Sequence, residues 1–253
     1  MPLVTTTALC LRKVSFSETS QVLTLLSDKL GTVGAIAKGV KRPRSSIGAP
    51  LDVMCLYNAV LYDRSRRGTL SILSQAELID FFPLLRKRYE SFAAVEQLRE
   101  LLLSLEFTPA DGASALLLAV RALRSMAEAG SEYYALAHFA WGLLELSGIQ
   151  PTVTHCVESG REASGKVVVF FNLEEMGLLS PSHAEKRSDN VRVSAATLMA
   201  LQSLSIGSAI GGRKGGRDVD GWRGAFSLLA WLVARHGGRQ LKAVSPPDLT
   251  RAV

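Results

Sequence analysis

The sequence predicts an α+β chain of two domains, a small five-stranded β-barrel over residues 1–80 and a helical domain over residues 81–253. Two observations carry this expectation. As far as Leu78 the apolar residues fall in short strand-like runs divided by turn signals, and beyond Pro83 they recur at three- and four-residue steps. The period changes at Asp80–Pro83 without a long linker, and neither half contains an internal repeat or a low-complexity tract.

The β elements follow in order. Thr6–Val14 sets Ala8, Cys10 or Leu9/Leu11, and Val14 in imperfect alternation with threonines, which suits a barrel strand. Ser20–Ser27 contributes Val22, Leu23, Leu25 and Leu26, and Asp28-Lys29-Leu30-Gly31 supplies a turn whose glycine can take a left-handed dihedral. Thr32–Lys38 is the third strand. After the polar segment Gly39–Pro50, Asp52–Asp63 resumes with Val53, Cys55, Tyr57, Val60 and Tyr62 at strand spacing. Arg64-Ser65-Arg66-Arg67-Gly68 is a basic turn, and Leu70–Leu78 completes the set. Five short strands in so few residues point to a small closed barrel, of which the OB-fold is one form.

In the second half Phe92, Val95, Leu98, Leu102 and Leu105 mark a helix from about 83 to 106, with Pro83 suited to a first turn where its missing N–H is not needed. Thr108-Pro109-Ala110-Asp111 breaks it, and a second helix runs to about Glu128. Ser131 can cap a third, which stops at Gly148 and is apolar nearly all round, so it is expected at the centre of the domain. An irregular insertion is expected at about 149–190, with a β-rich run at Lys166–Phe171 and a turn near Met176-Gly177. Helices at about 194–204 and 219–236 follow, separated by the glycine-rich basic loop Gly211–Arg217.

Composition narrows the function classes. A chain of 253 residues with 47% hydrophobic content can bury a substantial core. Its net charge of +6 favours a polyanionic partner. Cys10, Cys55 and Cys156 are far apart and odd in number, a reducing-compartment pattern without a disulfide framework. Met1–Leu11 lacks a leader pattern, and no apolar run approaches the roughly 18 residues a membrane span needs, so a cytoplasmic, nucleoid-associated protein without membrane contact is expected.

No acidic residue lies between Lys29 and Asp52, whereas Lys38, Lys41, Arg42 and Arg44 share one strand end and loop. Such a cluster releases counterions from phosphates and gives affinity for nucleic acid that depends on salt rather than on base sequence, the alternative being a solvated basic loop. Arg64, Arg66 and Arg67 extend the same path if the two loops share a barrel rim. The barrel sequence offers Phe16, Tyr57 and Tyr62 as stacking residues, and core packing is the expectation for each. Catalysis finds no support: His138 and His236 fall in helices, Glu174 and Glu175 are adjacent rather than paired across a cleft, and the Gly211–Arg217 loop lacks the Walker spacing.

Ser17-Glu18-Thr19-Ser20, Val22–Ser27, Gly31-Thr32-Val33 and above all Ala37-Lys38-Gly39-Val40-Lys41-Arg42-Pro43-Arg44-Ser45 are similar to the N-terminal signature of the RecO family of recombination mediators. Leu146-Ser147-Gly148-Ile149-Gln150-Pro151 leading to Cys156, and the terminal stretch Ala230–Lys242, resemble the family more loosely. The resemblance implies an OB-fold that binds single- and double-stranded DNA and anneals complementary strands. It also implies work with RecR, and in some members RecF, to load RecA on strands coated by single-strand DNA-binding protein, without catalysis or ATP. The acidic, aromatic tail of that coating protein would meet a groove near Arg86, Lys87, Arg88, Arg121 and Arg124; a charged outer helix face is the equal alternative.

Metal-binding members of the family carry two Cys-x-x-Cys pairs where this chain keeps Cys156 and His183, with His155 beside them and serines at 159 and 180. A degenerate zinc-finger-like remnant, held by Val167, Val169, Phe171 and Leu178 rather than by zinc, is therefore expected, and no cofactor. The rival from another class is an OB-containing RNA- or ribosome-associated binding protein, because a fold does not determine its ligand.

Overall fold

The computed structural model of the chain describes residues 2–64, 69–129, 132–164, 169–207 and 218–238. These form two compact units: Met1–Arg88 with Leu105–Val120, and Tyr89–Ser104 with the described residues from Arg121 onward.

The first unit is a closed barrel of β1 (Leu3–Ser15), β2 (Gln21–Ser27), β3 (Gly31–Ala37), β4 (Leu56–Tyr62) and β5 (Ser71–Asp80), in the order β1-β2-β3-β5-β4. Closure depends on β1. Its register shifts between Cys10 and Arg12, so its first half pairs with β4 (Leu3 opposite Tyr62) and its second half with β2 (Ser15 opposite Gln21). That shift accounts for the imperfect alternation of the strand. The other closing contact is a short parallel one, Ala35 opposite Ser71 and Ile36 opposite Ile72. Alternation then places Leu23, Leu25, Val33, Ala35, Ala37, Ala59 and Leu61 inside.

Gly31 shows why the β2–β3 turn requires glycine. Its φ is 66°, and a Cβ there would lie 2.1 Å from the Phe107 carbonyl oxygen, which instead accepts the Thr32 N–H at 2.9 Å. Asp28 completes the turn by accepting the Thr7 N–H at 3.1 Å and the Thr6 hydroxyl.

Two boundaries differ from expectation. The strand expected over Asp52–Asp63 starts only at Leu56, because Met54 is left-handed (φ 55°) and the Tyr57 hydroxyl accepts the Asp52 N–H at 2.8 Å, holding this stretch as a turn. The helix expected from 83 is a single 3-10 turn, Pro83–Arg86, separated from α1 (Tyr89–Ser104) by the extended Arg88. Pro83 does occupy a first-turn position, behind a left-handed Phe82.

The helices are α1, α2 (Gly112–Ala129), α3 (Glu132–Leu146), α4 (Pro181–Ala184), α5 (Ala195–Ser205) and α6 (Val219–His236). Every residue of α3 from Tyr134 to Leu144 is buried, which makes it the central helix of the second unit. Ser194 caps α5 by accepting the Thr197 N–H at 3.1 Å, and Asp218 caps α6 by accepting the Gly221 N–H at 3.0 Å. Gly221 and Gly224 let α6 approach α5, since Cβ atoms there would lie 2.7 Å from the Ala196 carbonyl oxygen and 2.2 Å from Thr197 Oγ1.

The second domain is not all-helical. Where an irregular insertion was expected, β6 (Thr152–Cys156), β7 (Val169–Asn172), β8 (Gly177–Leu179) and β9 (Asn190–Val193) form a four-stranded sheet in the order β6-β8-β7-β9. The strands are too short to show a period, and the sheet is tied by a buried asparagine pair. Asn172 Nδ2 donates to Asn190 Oδ1 at 2.9 Å, and Asn190 Nδ2 donates to the Ala184 carbonyl at 2.8 Å. Asn172 Oδ1 accepts the N–H groups of Glu174 and Glu175 at 3.0 and 2.8 Å. Val167 lies outside the described residues, as does the start of the β-rich run at 166–171.

Candidate nucleic-acid interface

The loop after β3 is anchored rather than free. Val40, Ile47 and Leu51 enter the barrel core, and Ser45 closes the turn between them by accepting the N–H of Ile47 on its hydroxyl at 3.2 Å. With its apolar positions spent inside, the loop holds Lys38, Lys41, Arg42 and Arg44 on the surface, all exposed. None of the four forms an ion pair among the described residues.

The same loop is fastened to the β1–β2 hairpin. Gly39 takes φ 69°, which turns its N–H onto Ser20 Oγ at 3.2 Å and lets its carbonyl accept the Arg42 N–H at 3.0 Å. Lys41 donates its N–H to the Thr19 carbonyl at 3.0 Å and its ammonium to Ser15 Oγ at 2.9 Å. Phe16 N–H donates to the Ser20 carbonyl at 3.1 Å and closes the hairpin tip.

The three aromatic residues do not share the expected core placement. Tyr57 is buried, and burial pushes its hydroxyl pKa up. Phe16 is 67% exposed and Tyr62 41% exposed. For Phe16 the reason is geometric: the pairing of β1 with β4 ends at Leu9, and beyond it Arg12, Lys13, Val14 and Ser15, paired with β2, are all exposed whatever the alternation says. Arg12 and Lys13 are thus surface cations that the loop-based reading missed. Their adjacency inside a strand, where neither can enter an apolar core, was the available signal.

Arg64 stands apart from the loop. Its N–H donates to Ser71 Oγ at 3.0 Å, and Ser71 pairs with Ala35, three residues before Lys38. That offset is roughly 10 Å along the strand. Arg66, Arg67 and the Gly211–Arg217 loop lie outside the described residues. Arg86, expected either at a groove or on a charged outer helix face, is a staple within the barrel unit. It donates to the carbonyls of Phe81 at 2.8 Å and Val53 at 3.2 Å and to Cys55 Sγ at 3.1 Å.

Around Cys156 the described residues bring few metal-donor groups together. Cys156 Sγ lies 3.9 Å from His183 Nδ1, which contacts Ser180 Oγ at 2.7 Å, while His155 is exposed and turns to Thr154. A structural site takes four such ligands, and serine hydroxyls are poor substitutes. Among the described residues no group of three or more His, Cys, Asp or Glu is placed to hold a metal ion. Burial raises the Cys156 thiol pKa, but hydrogen bonds from the Ser159 hydroxyl and from the amides of Ser159, Ser180 and Glu158 outweigh it and leave the group at about 6. Among the described residues no helix is long and apolar enough to cross a membrane.

Comparison with known proteins gives matches along nearly the whole chain. Residues 1–82 match the family model described as Recombination protein O N terminal, and residues 86–244 match the one described as Recombination protein O C terminal. The chain is 29% identical over 247 residues, 96% of its length and 95% of the relative's, to a protein of Anaeromyxobacter dehalogenans named DNA repair protein RecO. A protein of the same name from Salinibacter ruber is 32% identical over 152 residues, which cover 60% of this chain and 58% of that relative. One from Synechococcus sp. is 25% identical over 249 residues, 94% of this chain and 82% of the relative.

Proposed function

Since the chain belongs to the recombination protein O (RecO) family, we propose that it acts in DNA repair and recombination as a DNA-binding mediator. In this reading it holds single- and double-stranded DNA, anneals complementary strands, and works with RecR, as some members do with RecF, to load RecA on strands coated by single-strand DNA-binding protein. The closed order β1-β2-β3-β5-β4 supports reading the barrel as an OB-fold.

One observation carries the proposal: Lys38, Lys41, Arg42 and Arg44 are exposed, without carboxylate partners among the described residues, on a loop whose backbone is fixed by buried Val40, Ile47 and Leu51. Fixed cations of this kind bind phosphates without reading bases. When two complementary strands approach, the same charges offset the repulsion between their backbones and permit pairing. The chemistry uses no cofactor.

The test replaces Lys38, Lys41, Arg42 and Arg44 by glutamine and measures DNA affinity and strand annealing across a salt series, with RNA of equal length beside them. Each lost phosphate contact lowers the slope of log affinity against log salt by about 0.7 for single strands and about 0.9 for duplex. An unchanged slope refutes the site, and preferential RNA binding refutes the assignment to DNA.

A further inference from the structure

We propose that Phe16 is a stacking platform for unpaired nucleobases, and that it makes the basic end of the barrel prefer single-stranded DNA over duplex. This rests on the reading of the Lys38–Arg44 loop as a phosphate site and adds the ligand class for which that site is built.

The ring is held out in water by the fold itself. Phe16 is 67% exposed at the tip of the β1–β2 hairpin, and Val14, two residues earlier in β1, is 47% exposed. A lone exposed aromatic carries little meaning, but this one sits on a braced support. The Phe16 N–H closes the tip on the Ser20 carbonyl at 3.1 Å. The Lys41 N–H reaches the Thr19 carbonyl at 3.0 Å and the Lys41 ammonium reaches Ser15 Oγ at 2.9 Å. The Gly39 N–H reaches Ser20 Oγ at 3.2 Å. One hydrogen bond closes the hairpin and three fix it against the cationic loop, so little conformational freedom is left to lose when a ligand arrives.

The same bonds set the ring beside the charge. Lys41 is bonded to the residue that precedes Phe16, so a strand whose phosphate meets Lys41, Arg42 or Arg44 passes the ring within the reach of its own bases. A face of any base stacks on an aromatic side chain without regard to sequence. In a duplex those faces are already covered by neighbouring pairs and only backbone reaches the hairpin, so Phe16 adds affinity for unpaired strands alone. Glu18, exposed on the same hairpin, repels phosphate and discourages the second backbone of a duplex from crossing the tip. Val22, Ile36 and Ile72 continue from Val14 in cross-strand register and prolong the platform as a half-buried apolar stripe on the barrel exterior.

The experiment compares Phe16→Ala and Phe16→Trp with the unaltered chain, using oligo-dT and a duplex of equal length at one salt concentration. Phe16→Ala should weaken oligo-dT binding roughly five- to 150-fold, as expected for loss of one stacked base. Duplex binding should change less than about twofold, and thermal unfolding should not move because the ring packs against no core. Phe16→Trp should retain oligo-dT affinity, and its emission, read over the three native tryptophans, should be quenched by oligo-dT and not by duplex. Equal losses on both ligands, no loss on oligo-dT, or an unquenched Trp each overturn the proposal. The two readings separate cleanly: an unchanged salt slope on neutralising Lys38, Lys41, Arg42 and Arg44 sinks the phosphate site, whereas the quenching experiment reports on the ring alone.

Discussion

Asp52 accepts a hydrogen bond from the Lys13 ammonium at 2.5 Å, so one cation at the far end of β1 carries its own counter-charge while the neighbouring loop cations do not. The Arg86 guanidinium lies 3.7 Å from the other carboxylate oxygen. The Lys13 hydrogen bond, helped by the Val53 amide and by Arg86, outweighs partial burial and holds the Asp52 carboxyl below its ordinary pKa. Because its folded pKa is depressed, the stabilisation is present above the ordinary value and lost as pH falls through the folded one.

Asp52→Asn should therefore free a cation without disturbing the turn, since the asparagine keeps its own N–H on the Tyr57 hydroxyl. DNA affinity at low salt should rise and the salt slope steepen by about one contact. The cost in stability should stay below about 1 kcal/mol, as for other exposed pairs. A salt series with a urea titration checks both, and a fall in affinity would show that Lys13 does not reach the nucleic acid.

His138 gives a pH prediction in the second unit. Its ring lies between Tyr134 at 4.4 Å and Trp222 at 5.7 Å, and its Nε2 has no hydrogen-bond partner among the described residues. Burial lowers its pKa from 6.5 to about 4. Between those values the unfolded chain binds the extra proton, so stability is full above about 6.5 and falls as pH drops towards 4, by up to about 3 kcal/mol. His138→Phe should flatten that part of the curve. Urea midpoints of both chains from pH 7 to 4 provide the test, and parallel curves would exclude the imidazole as the source.

Asn172→Ala should cost about 2–4 kcal/mol, because it leaves buried Asn190 and the amides of Glu174 and Glu175 without their acceptor or donor. Hydrogen exchange should report the loss first in β7 and β9, which the pair joins at Asn172 opposite Asn190. Protection retained there would mean that Val169, Phe171, Val191 and Val193 hold the sheet by themselves.

The asparagine pair also marks where legibility stopped. The barrel strands and the long helices announce themselves through a local period, because each must bury one face of its own residues. Strands of three to five residues, such as Gly177–Leu179, are shorter than any period, and the atoms that align them belong to residues that read as loop. The start of the helix expected over 83–106 differed for a related reason. Leu84 and Leu85 fit the helical pattern, but Phe82 and Arg88 take backbone conformations that no pattern of side chains discloses.

For the candidate site, the cationic loop was readable because charge, unlike packing, is a property of residues taken singly. The role of Arg86 was not, since its donors go to Val53 and Cys55, more than thirty positions away. Phe16 was misjudged for the same reason: an aromatic at the end of a strand is core or surface according to where its neighbours end.

By itself, then, the sequence determined that a β-barrel precedes the long helices and that Lys38–Arg44 is a basic loop between strands. The tertiary structure alone decided that the register of β1 shifts after Cys10, that it continues past the end of β4 to a hairpin tip where Phe16 is exposed, and that Lys41 clamps that tip to the loop. Periodicity and charge are local sums over neighbouring residues. Register, overhang and hydrogen bonding depend on where a distant strand starts and stops, and only the folded chain brings those ends together.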